Sequence, residues 1–68
     1  MNFEDAFLLL NQVQSMTRAK YYLAMMYERG LGVKKDREKA IQLYKIVSMK
    51  QHADAHRAKT TLRRLHVD

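Results

Sequence analysis

The sequence predicts an all-α domain of four antiparallel helices. Apolar residues recur at spacings of three and four along the whole chain, and no run alternates with period two over a strand's length. The breaks between these stretches carry helix-stop and helix-start chemistry, most plainly Gly30 to Asp36, which holds both of the chain's glycines.

In the first segment Asn2 is placed to cap, and Glu4 and Asp5 suit the positive end of a helix dipole. Phe3, Ala6, Phe7, Leu10 and Val13 share one face, Leu9 and Met16 widen it, and Leu8 falls outside it. Thr17 is the expected N-cap of the second helix, which stops at Arg29 because Gly30 tolerates the left-handed conformation. This helix is apolar on two sides: Ala19, Tyr22, Leu23, Met26 and Tyr27 form one stripe, and Tyr21, Ala24 and Met25 the other. Such a helix is expected between two neighbours. Asp36 caps a third helix over about 37–49, with Ala40, Leu43, Tyr44 and Val47 inward and Ile41 and Ile46 at the edges. After a weaker break at Lys50-Gln51-His52, a fourth helix over about 53–66 carries Ala55, Ala58, Leu62 and Leu65 on one narrow stripe. His56, Arg57, Lys59, Arg63, Arg64 and His66 occupy the rest of its surface.

Size and charge limit what such a domain can do. At 68 residues without cysteine, the chain buries only ~60% of its unfolded surface and has no disulfide to compensate. No stretch approaches the ~18 apolar residues of a membrane span. The run Ala6 to Leu10 follows acidic rather than basic residues, so neither a secretory signal nor membrane association is expected, and a cytoplasmic location is. The net charge of +6 is unevenly spread: residues 1–29 hold three bases and three acids, whereas residues 30–68 hold ten bases and four acids.

The stretch Ala19 to Ala55 resembles a Sel-one-like repeat, a relative of the tetratricopeptide repeat. Ala19, Leu23, Tyr27, Gly30, Gly32, Val33, Asp36, Ala40, Tyr44 and Ala55 stand at that family's spacing, and the Tyr-x2-Gly-x-Gly-Val-x2-Asp core specifies a turn and a cap as well as hydrophobicity. Ala24 replaces a Gly of the pattern, Leu43 an aromatic, Val47-Ser48 an Ala-Ala pair and Gln51 a Gly. The resemblance implies a short α–α superhelical stack, with a full repeat over 17–52 between half-repeat caps at 1–16 and 53–68. The small residues at 19, 24 and 40 independently allow close helix approach, and Tyr27 and Tyr44 are expected in the core with hydroxyls at its rim.

Two surfaces are candidates for binding. The resemblance puts the first helix of each unit on the concave face, which makes Tyr21, Met25 and Glu28 partner contacts; the competing expectation is that a neighbouring helix covers them. Arg57, Lys59, Arg63 and Arg64 form a basic strip on the fourth helix, suited to an acidic partner or to phosphates, or simply a solvated face. No aromatic residue interrupts the strip, so any nucleic-acid contact would be electrostatic and nonspecific. Lys34, Lys35, Arg37 and Lys39 surround the start of the third helix, where cations oppose the dipole. His52 and His56 are four apart but lack a third ligand, with Asp54 expected to point elsewhere, so no metal is expected. No nucleophile, base and acid constellation is present, and neither enzymatic activity nor a cofactor is expected.

The expected function is therefore that of a small non-enzymatic adaptor or inhibitor that binds a protein partner. The alternatives are nonspecific nucleic-acid binding through the fourth helix and a self-assembling helical unit, for which a homodimer is expected.

Overall fold

Local chemistry sets most of the helix boundaries in the computed structural model, which describes residues 2–65. Asn2 opens α1 (Phe3–Gln12) by accepting the Asp5 N–H on its Oδ1 at 2.8 Å. Thr17 does not cap α2 (Thr17–Arg29): it is the first helical residue, Met16 occupies the cap position, and no side chain bonds there. The short 13–16 turn explains this, because the Met16 carbonyl already accepts the Lys20 N–H at 3.1 Å and the helix begins one residue earlier than a Thr17 cap requires. α2 stops where expected. Gly30 sits at φ 70°, and both its N–H and that of Leu31 donate to the Met26 carbonyl. The loop then returns to the helix end through the Asp36 N–H on the Tyr27 carbonyl at 2.8 Å. Asp36 caps α3 (Arg37–Ser48) by accepting the Lys39 N–H at 3.1 Å.

α4 (Asp54–Arg64) is shorter than expected at both ends. Ala53 lies in the preceding turn, and Leu65 terminates the helix. His66 lies outside the described residues. In place of the missing turn glycine, the imidazole Nδ1 of His52 accepts the Asp54 N–H at 3.0 Å and closes the turn.

The predicted all-α architecture is what the described residues form, with no strand among them. α2 packs on α3, α3 on α4, and α1 on α2 alone. The core is Leu23 and Ala24 of α2, Ala40, Leu43, Tyr44 and Val47 of α3, and Ala58 and Leu62 of α4. Alanines 24, 40 and 58 are fully enclosed, which brings the helices close enough to seal Val47 without displacing α4.

The first helix departs from its predicted face. Phe7 and Leu10 are half-buried, Phe7 edge-on to Tyr27 at 5.5 Å, but Phe3 and Val13 are exposed and nothing in α1 is fully buried. A helix with one neighbour has only one covered side. Tyr22, placed by its spacing in the inner stripe of α2, is likewise exposed, while Tyr21 is half-buried against Tyr44. No helix among the described residues is long and apolar enough to cross a membrane.

Candidate protein-interaction site

α2 and α4 are joined by two carboxylates. Asp54, in the first turn of α4, is the buried charged residue among the described ones. Its carboxylate lies 3.3 Å from Arg18 Nε of α2, 3.4 Å from His52 Nδ1 and 3.7 Å from the Arg57 guanidinium. Glu28, at the other end of α2, accepts the Tyr44 hydroxyl at 2.8 Å and the Arg64 guanidinium at 2.9 Å. Burial alone would raise the Glu28 carboxyl, but the hydrogen bonds from Arg64 and Tyr44 outweigh it and hold the group below its ordinary value. Burial, and then the Glu28 carboxylate, push the Tyr44 hydroxyl far up, so it stays protonated and donating. The hydrogen bond to Glu28 also raises Arg64.

Between these anchors Arg57 lies over the Tyr21 ring, 5.3 Å from its centroid, and Tyr21 rests on Tyr22 and Tyr44 at 6.0 and 5.7 Å. Arg18, Arg57 and Arg64 nevertheless leave 62%, 65% and 56% of their side chains in solvent. The seam is thus a row of guanidiniums fixed on one side by carboxylates and open on the other.

The residues expected to bind a partner are distributed over three places. Tyr21, Glu28, Arg57 and Arg64 meet at this seam. Met25 turns toward α1, where with Phe3, Ala6, Leu10, Tyr22, Met26 and Leu31 it lines an apolar groove of about 220 Å³. Lys59 and Arg63, four apart, share a different flank of α4 and form no ion pair among the described residues. The expected strip on α4 is therefore two pairs rather than one surface, because Arg57 and Arg64, seven residues apart, both turn to α2. Glu28 is held within the fold by Tyr44 and Arg64, which covers much of it.

Arg18 was absent from the sequence expectations, and Asp54 entered them only as a residue pointing away from the His52 and His56 pair. The Asp54 to Arg57 pairing is legible as an i, i+3 contact, whereas Arg18 lies 36 residues away and becomes a partner only through packing. Contrary to expectation, Asp54 does not point away from His52: its backbone N–H donates to the His52 Nδ1 and its carboxylate lies 3.4 Å from the same nitrogen. The cations at 34–39 divide too: Arg37 donates to the Leu65 carbonyl at the end of α4, where a cation suits the dipole. Among the described residues no three His, Cys, Asp or Glu side chains gather as a metal site.

The loop between α2 and α3 carries the most specific pattern in the chain. Gly30 and Gly32 both have positive φ, and Gly32 lies directly against the first turn of α1. Neither the curated proteins nor the solved structures contain a significant match to the chain. A family model described as Sel1 repeat matches residues 17–52, which takes in α2, the two-glycine loop, α3 and the turn into α4. Sel1 repeats generally mediate protein–protein interaction and are not catalytic. With more than half of its length matched, this chain belongs to the Sel1 repeat family.

Proposed function

We propose that this chain is a small non-enzymatic adaptor or inhibitor that acts in the cytoplasm by binding the acidic surface of a protein partner. Residues 17–52 serve as the full repeat, and 1–16 and 53–68 as half-repeat caps. The binding surface is the seam of α2 and α4, with Tyr21, Arg57 and Arg64 at its centre and Arg18 at its edge. Met25 extends it toward α1, while Lys59 and Arg63 steer approach from the flank.

The observation that carries this reading is Arg57 stacked on Tyr21 and tethered to buried Asp54, with two-thirds of its side chain still open. A guanidinium already ordered loses little entropy on meeting a partner carboxylate, and Arg and Tyr are the side chains that most often dominate binding energy. The net charge of +6 adds attraction to an acidic surface at longer range. Glu28 serves as a positioning residue for Arg64 rather than as a contact.

The test is a calorimetric titration against a protein co-purified from the native host. Tyr21→Ala with Met25→Ala is expected to abolish the heat of binding, and Arg57→Glu with Arg63→Glu to weaken binding and flatten its salt dependence. Unchanged affinity in the first pair counts against the surface. The free Lys59 and Arg63 flank keeps nucleic-acid binding as a second reading. A gel-shift series at two salt concentrations decides it, since no shift at low salt removes backbone binding.

A further inference from the structure

α1 is apolar on two opposite sides. Phe7 and Leu10 face the core, while Leu8 and Leu9, 59% and 50% exposed, flank Asp5 and Gln12 on the outward face. α1 touches α2 and no other helix among the described residues, so nothing there covers this outer face.

We infer that a second copy of the chain covers it, through an antiparallel pairing of the two α1 helices about a two-fold axis between positions 8 and 9. The spacing is self-complementary. With the axis at that point, Leu8 opposes Leu9 of the second copy, and Asp5 opposes Gln12, whose amide N–H groups donate to the carboxylate. Each contact occurs twice, as an isologous interface requires.

Charge selects the same end. Two chains of +6 repel wherever their residues 30–68 meet, whereas α1 carries only Glu4 and Asp5, and the antiparallel arrangement keeps the two acidic turns about 10 Å apart along the axis, near one screening length. The interface is small. A ten-residue helix is ~15 Å long and covers ~400 Å² per copy, about half of a standard interface, so the dimer is weak and concentration-dependent. This surface is separate from the seam of α2 and α4, and Tyr21→Ala is expected to leave the dimer unchanged.

Sedimentation equilibrium of the full chain over a concentration series reads the association directly. A monomer–dimer equilibrium is expected, and Leu9→Asp is expected to weaken it at least about tenfold, with unchanged helicity by circular dichroism. Because the described chain has no cysteine, Leu9→Cys introduces a single thiol near the axis that is expected to cross-link on oxidation, while Lys59→Cys on α4 is not. A chain still monomeric at about 1 mM overturns the inference. So does a dimer indifferent to Leu9→Asp, or equal cross-linking through position 59. A monomer whose Leu9→Asp variant loses affinity for another protein overturns it as well, and assigns the face to that protein.

Discussion

Replacing each loop glycine by alanine separates backbone strain from helix docking. Gly30 and Gly32 have nearly the same dihedral, φ 70° and 71°, so alanine carries the same left-handed penalty of ~1–2 kcal/mol at either. Any gain from stiffening the unfolded chain is also shared and cancels in the comparison. The surroundings differ. A Cβ at position 30 would meet the Lys35 Cβ at 3.3 Å, which a small adjustment relieves. At position 32 it would lie 2.7 Å from the Glu4 nitrogen and closer still to the Phe3 carbonyl, both backbone atoms of α1. Relief requires α1 to move away by about an ångström, and a gap of that size forfeits a quarter to a half of each dispersion contact. Fully undocked, α1 loses the half-burial of Phe7 and Leu10, about 1 kcal/mol each, and the Phe7–Tyr27 contact, about 0.5–1 kcal/mol. Gly30→Ala is thus expected to cost about 1–2 kcal/mol and Gly32→Ala, with α1 undocked, about 3.5–5 kcal/mol. Urea unfolding followed by circular dichroism measures both, and hydrogen exchange should show α1 amides losing protection only in Gly32→Ala. Equal costs for the two variants would refute the reasoning, because only strain would then be at work.

Three further outcomes follow from the seam. Tyr44→Phe removes a donor from Glu28 while Arg64 remains, and a loss of about 1–2 kcal/mol is expected in the same urea assay. Asp54→Ala is expected to cost about 2 kcal/mol, less than a fully buried pair, because the arginines it releases are already well hydrated; nuclear magnetic resonance should show the Arg57 side-chain protons losing the ring-current shift that Tyr21 imposes. The Glu28 carboxyl is lowered on folding from its ordinary value of 4.5, so its contribution is complete above that value and disappears as the pH falls through the folded one. Thermal melts between pH 7 and pH 3 should show this acid-labile component in the native chain and not in Glu28→Gln.

The helices were legible because most of their boundaries are local events. Asn2, Gly30 and Asp36 act through bonds within a few residues, and the α3 face of Ala40, Leu43, Tyr44 and Val47 follows from one period. Errors arose where a neighbour decides. Phe3, Val13 and Tyr22 have the right spacing for burial, but α1 has one partner and cannot cover them. The basic helix read as one strip because a sequence cannot show that Arg57 and Arg64 each have an acid waiting on α2. Buried Asp54 was hidden for a related reason: its main partner is Arg18, and that distance in sequence closes only when α2 and α4 are side by side.

The two outer helices are attached by opposite means. α1 adheres through Phe7 and Leu10 without an ion pair across its seam among the described residues, whereas α4 adds to its own apolar stripe two clusters of opposite charges. Salts and osmolytes that are excluded from the protein surface tighten the first kind of joint, while dissolved ions screen the solvent-open charges of the second. Added electrolyte is therefore expected to loosen the hold on the carboxyl-terminal helix and firm that on the amino-terminal one, which narrows the difference between the two ends.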